Sequence, residues 1–397
     1  MEPLGFILAL AIIIFSAKAA GYVSIRLHQP AVLGELLMGL ILGPTVLNLF
    51  GFEIFSHGHV NESILYLAEA GVIFLMFLAG LEIDLAEMRQ VGVSAGVVGV
   101  LGVIVPLLLG AGAALLFDFS LTSSIFIGLI LTATSVSISA QTLMELGLLR
   151  TREGLTLLAA AVVDDVLVIL LLSISVALTG AEGASIQGEI LSVVGRMVLY
   201  LGVAVLVGVK LLPRLTRRIS TLPVSQGLLS WVIVVTLIYA WAAEEVGGMA
   251  AITGAFLAGV LFSVTPLRER MEQGMHAIVY SLLVPIFFVS IGLKANARLL
   301  DSNDVVFTVV IVVVAVLSKI LGCGLGARLT GSTNLGALRV GVGMVSRGEV
   351  GLIVASVGLS AALIPDQVFA TMVIVVLVTT LLTPVMLRAA FQKKESA

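Results

Sequence analysis

Apolar stretches follow one another along almost the whole chain, separated by short joints that hold charged residues, glycine or proline. Most stretches are about 20 residues long, which is the length an α-helix needs to cross the hydrocarbon core of a bilayer. The pattern therefore predicts 13 membrane-spanning helices. Their predicted limits are 4–25, 31–50, 63–83, 93–116, 123–146, 154–179, 188–212, 226–243, 249–264, 274–294, 304–328, 336–360 and 366–390.

The composition agrees with this pattern. Hydrophobic residues make up 59% of the 397 residues, and charged residues make up 11%. A soluble domain cannot bury that much apolar surface, so the predicted fold class is an all-α integral membrane protein. The first stretch lacks the basic residues and the small-residue cleavage site of a signal peptide, and we expect it to be the first span.

Basic residues are divided unevenly between the joints. One alternating set of joints holds fifteen lysines and arginines, whereas the other set holds only Lys294 and Arg298. Because cytoplasmic loops carry the excess of these residues, the N-terminus is predicted outside and the C-terminus in the cytoplasm. An odd number of spans requires the same arrangement. We expect the protein in the inner (plasma) membrane of a prokaryote.

The two halves of the chain resemble each other. Three sets of positions align, namely 74–84 with 286–296 (Gly80 with Gly292), 34–39 with 254–259, and Ser135 and Gly147 with Ser346 and Gly358. Six spans per repeat and one linker helix account for 13 spans, and the second repeat is then inverted in the membrane. Inverted-topology repeats are the plan of many secondary transporters, whose substrate site lies near the membrane midplane.

Two adjacent carboxyl groups lie near the middle of one predicted span. Asp164 and Asp165 belong to the segment AAAVVDDVLVILLL, which is otherwise apolar. A carboxylate at this depth costs several kcal/mol, and a second one beside it adds repulsion between like charges. An ion, a proton or a buried cation must offset these costs. The pair therefore predicts a proton or cation site.

Two other predicted spans contain polar residues and glycines that favour an interruption of the helix. The first is 129–147, with Thr132, Thr134, Ser135, Ser137 and Ser139, and the second is 340–358, with Gly341, Gly343, Ser346, Arg347, Gly348 and Glu349. Unwound backbone frees carbonyl groups and helix dipoles that suit ion binding. Alternatively, the hydroxyl groups bond to carbonyls of their own helix. We predict two broken crossing helices.

These motifs together resemble the cation/proton antiporter superfamily, in the branch of NapA-type sodium/proton antiporters, which are related in fold to NhaA. The resemblance is carried by QPAVLGELLMGLILGP, ATSVSIS, AAAVVDDVL, SKILGCGLGA and VGMVSRGEVGLIVA, and it extends over the membrane region. It implies a 13-helix protomer that forms a homodimer and exchanges sodium for protons electrogenically. It also implies a mobile core domain that slides against a dimerisation panel.

The resemblance also implies a division of the chain. The core comprises 91–179 and 301–391, the panel comprises 1–90 and 220–300, the linker helix lies in 180–219, and a short cytoplasmic tail occupies 392–397. The implied partners are the transported cation, protons and the lipid bilayer, with no nucleic acid. The resemblance implies no cofactor, and the implied transported ions are Na⁺ (or Li⁺ or K⁺) and H⁺.

Site residues follow from the same resemblance. Asp165 matches the principal carboxylate that binds the cation and the proton, so that Na⁺ is expected at Asp165. Asp164 matches its neighbour, which pairs with a lysine, and that lysine matches Lys319. The pairing is physically reasonable because a buried ammonium group loses its proton readily unless a carboxylate holds it.

The remaining matches concern the two interruptions. Thr134 and Ser135 lie where the family breaks its first crossing helix, and they are expected to contribute cation ligands. Arg347 and Glu349 lie at the second break, where their opposite charges are expected to hold the unwound ends. Other polar residues stay without an assigned role at this point, namely Glu35, Glu69, His57 and His59.

Alternative functions must explain the same carboxylates. An intramembrane aspartyl protease needs its two aspartates on separate helices, whereas Asp164 and Asp165 point about 100° apart on one helix. We therefore expect a transporter and not an enzyme. Potassium/proton exchange in the same fold is the main alternative. A channel or a non-transporting membrane sensor is a more distant one.

Overall fold

The computed structural model describes residues 2–27, 29–56, 59–82, 91–180, 186–294 and 305–392. These residues form helices joined by turns and irregular segments, and no strand occurs among them. The α-helices are α1 (Glu2–Arg26), α2 (Ala31–Leu42), α3 (Glu53–Ser56), α4 (Val60–Glu82), α5 (Gly92–Leu115), α6 (Leu121–Thr132), α7 (Val136–Glu145), α8 (Arg152–Gly180), α9 (Ile186–Lys210), α10 (Leu212–Ile219), α11 (Gly227–Glu245), α12 (Ala251–Ser263), α13 (Arg268–Ile278), α14 (Val284–Lys294), α15 (Val305–Leu329), α16 (Asn334–Gly343), α17 (Glu349–Ser360) and α18 (Asp366–Gln392). Leu49–Gly51 form a 3₁₀ turn, and Val279–Leu283 form a π-helical turn between α13 and α14.

Ten helical segments in the described ranges are long and apolar enough to cross a membrane, which confirms the all-α membrane fold class. Three predicted spans contain shorter apolar helices, namely 31–50, 249–264 and 336–360. The number of 13 spans and the inverted repeats stay predictions.

Helix α2 differs from its predicted span. It ends at Leu42, whereas the span was predicted to reach residue 50. Gly43 continues the chain in an extended conformation, and Pro44 cannot continue a helix. Asn48 then turns the chain with a φ of 51°. The prediction of a continuous span was wrong here. The residues after Pro44 are mostly apolar, so the hydropathy pattern continues although the helix stops.

Internal packing separates the chain into two compact units. The first unit comprises residues 1–68, 91–168 and 285–397, and the second comprises 69–90 and 169–284. These units describe packing in one conformation. The predicted core and panel describe which parts move together, and that division stays a prediction.

Each unit contains a pair of helices that are in very close contact through a glycine on both helices. In the first unit, a Cβ atom at Gly39 of α2 or at Gly292 of α14 would lie 2.2 Å from a backbone atom of the other helix. In the second unit, a Cβ atom at Gly80 of α4 or Gly259 of α12 would lie 2.2 Å or 2.1 Å from a backbone oxygen of the partner helix. Any side chain at these four positions would force the helices apart.

Helix α5 is packed against α6 and α15 in the first unit. The contact with α15 is close because a Cβ atom at Gly322 would lie 2.6 Å from the Leu101 carbonyl oxygen. One turn further along α15, a Cβ atom at Gly326 would lie 2.8 Å from the Cα atom of Val98. This packing brings the middle of α15, which carries Lys319, against α5.

Candidate functional site

Both spans that were predicted to be interrupted are interrupted in the structure. In the first, α6 ends at Thr132 and α7 begins at Val136, with Ser135 in an extended conformation between them. In the second, α16 ends at Gly343 and α17 begins at Glu349. The regular helical hydrogen-bond pattern is interrupted at both breaks, so other groups must satisfy part of the backbone there.

The two breaks satisfy each other. The Ser135 amide donates to the Ser346 carbonyl oxygen at 2.9 Å, and the Ser346 hydroxyl donates to the Ser135 carbonyl oxygen at 2.5 Å. The Ser139 hydroxyl donates to the Gly343 carbonyl oxygen at 2.5 Å and lies 3.3 Å from the Ser346 hydroxyl. All three serines are buried. The two interrupted segments therefore lie side by side, and the hydroxyl groups of Ser139 and Ser346 help to hold them together.

Arg347 closes the end of one half-helix at the second break. Its guanidinium group is 1% exposed and donates to the carbonyl oxygens of Val345 at 2.5 Å, Met344 at 3.3 Å and Ala315 at 3.0 Å. A cation at this position offsets the negative end of the α16 dipole and satisfies carbonyls that the helix leaves free. The side chain of Glu349 lies outside the described residues, so its expected role at this break stays a prediction.

Asp164 of α8 and Lys319 of α15 form a buried ion pair. The Lys319 ammonium group donates to Asp164 Oδ1 at 2.9 Å, and both side chains are 0% exposed. The other oxygen, Oδ2, meets no donor with hydrogen-bond geometry among the described residues, although the Thr134 hydroxyl lies close to the carboxyl group. The structure thus brings Asp164, Lys319 and Thr134 together.

Asp165 follows Asp164 on α8 and is also buried, with 6% of its surface exposed. Successive helical residues are turned by about 100°, so the two carboxyl groups leave the helix in different directions. The ion pair is made by Asp164, as the resemblance implied. Asp165 is therefore a second buried acidic group on another side of α8.

Gly102 of α5 lies directly against the ion pair and is not among the site residues predicted from the sequence. A Cβ atom at Gly102 would lie 2.7 Å from Cys323 Sγ, 3.6 Å from the Lys319 ammonium nitrogen and 3.7 Å from Asp164 Oδ1. A usable signal existed in the sequence, because Gly99 and Gly102 are spaced by three residues along α5. Such spacing places small residues on one helix face, where another helix can approach closely.

We expect Gly102→Ala to lower the melting temperature of the purified protein. The added methyl group overlaps Cys323 Sγ beside the ion pair, and overpacking of this kind costs about 1–3 kcal/mol. Gly96→Ala and Gly112→Ala are matched controls on the same helix, because nothing lies within 4 Å of a Cβ atom at either position. Adding Cys323→Ala to Gly102→Ala should restore the melting temperature. A loss of stability that is equal in all three single glycine variants would contradict the proposed overlap.

Three of the polar residues without an assigned role lie apart from this site. His59 is exposed and its Nδ1 atom lies 2.7 Å from Glu62 Oε2, so it belongs to a surface pair. Glu69 is exposed on α4, and His57 lies outside the described residues. None of the three has a described contact with the ion pair or the breaks.

Comparison with known proteins decides the family. The sequence profile of the family described as "sodium/hydrogen exchanger, transmembrane" matches residues 10–393, which is nearly the whole chain. The chain belongs to this exchanger family. The resemblance inferred from the motifs is thereby confirmed at the level of cation/proton antiporters.

Individual relatives cover the exchanger from end to end. The Na⁺/H⁺-K⁺ antiporter GerN of Bacillus cereus is 40% identical over 392 residues, which are 99% of this chain and 98% of GerN. A Na⁺/H⁺ antiporter of Enterococcus hirae is 35% identical over 392 residues, or 98% of each chain. The structure of the sodium proton antiporter MjNhaP1 from Methanocaldococcus jannaschii at pH 8 matches with a TM-score of 0.71 over 99% of this chain and 98% of that chain, at 17% identity. That structural likeness concerns the fold.

Proposed function

We propose that this family member exchanges sodium (or lithium) for protons across the membrane, that each cycle moves net charge, and that Asp165 and Asp164 form the site. The observation that carries the proposal is the fully buried Asp164–Lys319 pair, which lies beside the first helix break and one residue from a second buried carboxyl group. Buried ionisable groups at this depth are expensive and are retained where they bind or relay ions.

In the proposed chemistry, Asp165 alternates between a proton and the cation. The Thr134 and Ser135 hydroxyls and the carbonyls freed at the first break complete the set of oxygen ligands, which suits a small alkali cation. In the proposed cycle, Lys319 is protonated while it pairs with Asp164. A cation that also attracts Asp164 weakens this hold, so that Lys319 releases its proton too. Two protons then leave as one cation binds, and the exchange carries net charge.

The proposal includes alternating access by two inverted repeats in a homodimer, with the N-terminus outside and the C-terminus in the cytoplasm. Two correspondences support the repeats. Ser135 and Ser346, which align in the sequence, are bonded reciprocally. The glycine contacts also correspond. The alignment matches Gly39 with Gly259 and Gly292 with Gly80, so the Gly39–Gly292 contact of one unit is equivalent to the Gly259–Gly80 contact of the other.

Potassium is the second candidate cation. GerN, which is 40% identical over nearly the whole chain, is named as a Na⁺/H⁺-K⁺ antiporter. Carbonyl, hydroxyl and carboxylate oxygens are ligands for either alkali cation, so the ligand set alone does not separate the two ions. Sodium is favoured by the presence of both aspartates together with Lys319.

Reconstitution tests the proposal directly. Purified protein in liposomes that contain a pH indicator is exposed to Na⁺, Li⁺ or K⁺, and the lumenal pH is followed. We expect Na⁺ and Li⁺ to drive saturable proton movement in the opposite direction. A response to K⁺ alone would mean that potassium, and not sodium, is the transported cation. Cation flux that neither saturates nor moves protons would favour a channel.

The hydroxyls at the first break should set cation affinity. We expect Thr134→Ala with Ser135→Ala to weaken the apparent affinity by about tenfold, equivalent to roughly 1.4 kcal/mol for one lost ligand contact. Thr142→Ala is a matched control on α7, because its buried hydroxyl is already bonded to the Ile138 carbonyl oxygen at 2.8 Å. Equal affinities in the double variant and the control would mean that the hydroxyls at the break only satisfy backbone groups.

A further inference from the structure

Glu145 connects the far end of the half-helix α7 to the first turn of α2. Its Oε2 atom accepts a hydrogen bond from the Ala31 amide at 2.7 Å, across 114 residues of sequence, and the carboxylate also interacts with the Val32 amide. Its Oε1 atom accepts from the Gln141 side chain at 2.9 Å. The carboxylate therefore serves as the missing cap of a distant helix.

Helix α2 has no cap of its own. The residue before it is Pro30, whose side chain cannot accept a hydrogen bond, and the first amides of any helix lack internal partners. A negative charge at this position also favours the positive end of the α2 dipole. Glu145 supplies both effects at once, so the contact is specific in geometry and in charge.

Two further charges lie around this contact. Glu35, one turn into α2, is 4% exposed and accepts a bond from the Lys18 ammonium group of α1 at 3.1 Å. Glu35 and Glu145 repel each other, and Lys18 attracts both. Glu35, which had no assigned role in the sequence, thus belongs to a small charged cluster between α1, α2 and α7.

The position of the contact gives it a consequence for transport. Helix α7 begins directly after Ser135 at the first break and ends at Glu145, and a ten-residue helix is a rigid rod of roughly 15 Å. A movement of the Glu145 end is therefore transmitted to the ligands at the break. In the proposed division, α7 belongs to the mobile core and α2 to the panel, so the contact joins parts that must move relative to each other.

We propose that Glu145 is a positioning residue that latches α7 onto the N-terminus of α2 and stabilises the state in which the exchanger is closed on the cytoplasmic side. The proposal rests on the proposed function, because only alternating access requires the two helices to separate. The cytoplasmic side is the one assigned by the arginines that follow, Arg150 and Arg152.

A kinetic test uses Glu145→Ala. A released latch increases the fraction of protein open to the cytoplasm, and an apparent dissociation constant equals the intrinsic constant divided by the competent fraction. The apparent KM for the cation on the cytoplasmic side should therefore fall relative to the KM on the external side, and the ratio should change by roughly tenfold, as for one charge-assisted hydrogen bond. A residue that only stabilises the fold would not alter this ratio.

Glu153→Ala is the matched control. Glu153, in the first turn of α8, pairs with Arg339 of α16 at 3.5 Å, and both helices belong to the proposed core. Loss of this pair removes a carboxylate on the same side of the protein without releasing a contact between core and panel. The KM ratio should stay at the wild-type value. An unchanged ratio in Glu145→Ala, with exchange intact, overturns the latch.

A tethering experiment decides the matter if the alanine variant is unstable. The variant with Ala31→Cys and Glu145→Cys is treated with a short bis-methanethiosulfonate reagent, and exchange should stop and return after reduction. The control variant, with Glu153→Cys and Arg339→Cys, should continue to exchange when tethered. Native Cys323 is fully buried, and the wild-type protein is treated in parallel.

The two proposals fail differently. If tethered protein with substitutions at 31 and 145 still exchanges, α2 and α7 do not separate and the latch is wrong, whereas the proposed function stands. If untreated wild-type protein moves no cation against protons, the proposed function itself is wrong.

Discussion

Asp165→Asn is expected to abolish cation-driven proton movement while the protein still folds. The substitution removes the group that binds both the proton and the cation but keeps nearly the same shape and volume. Residual exchange should lie below about a tenth of the wild-type rate, which corresponds to a barrier raised by at least about 1.4 kcal/mol. A faster rate would mean that another group binds the proton and the cation. Lumenal pH in proteoliposomes measures exchange, and the melting temperature in detergent measures folding.

A matched control separates the loss of this carboxylate from the general effect of such a substitution. Asp118 lies exposed in the joint between α5 and α6, at a φ of 60° that asparagine also tolerates. Asp118→Asn should therefore exchange at the wild-type rate. Substantial exchange in Asp165→Asn, with Asp164→Asn inactive, would move the shared site to Asp164.

Lys319→Gln is expected to lower stability strongly and to make the remaining exchange indifferent to membrane potential. The substitution strands the Asp164 carboxylate, which is 0% exposed, and breaking a buried pair on one side costs about 3–5 kcal/mol. It also removes the second proton of the proposed cycle, so that one proton is exchanged for one cation. No net charge then crosses the membrane.

The measurement combines melting temperatures with flux under a clamped potential. Potassium and valinomycin set the liposome potential while sodium-driven proton movement is followed, provided that the protein does not transport K⁺ itself. Asp164→Asn added to Lys319→Gln should recover most of the lost stability, because no uncompensated charge remains. Wild-type flux that ignores the potential would refute the electrogenic cycle, and a voltage-sensitive Lys319→Gln variant would assign the lysine a structural role.

Much of this architecture could be predicted from the sequence because each signal is local. Apolar stretches about 20 residues long mark spans, and the serines and threonines around Ser135 mark the first break. Gly43 and Pro44 are also a local signal for a helix stop, but they lie within an apolar stretch whose length predicts a continuous span. The pairing of Asp164 with Lys319 came from resemblance, since no local pattern connects residues so far apart.

Other features depend on packing that no local pattern contains. Gly102 acquires its importance only when α5, α8 and α15 meet, and Glu145 only when its carboxylate reaches Ala31. The sequence predicts that Arg347 acts together with Glu349. In the structure, the Arg347 guanidinium group is also bonded to three carbonyl oxygens, which the sequence did not indicate. Backbone groups are the same in every sequence, so their use as partners is hidden until the fold is known.

The guanidinium group at the second break has a consequence for how many ions one protomer carries. Each of the two interrupted helices leaves helix ends whose dipoles can attract an ion. Arg347 already occupies one of them with a positive charge that is covalently attached and cannot leave. Under the proposed function, the second break is therefore balanced by a fixed charge of the protein itself, and one transported cation is expected, at the first break.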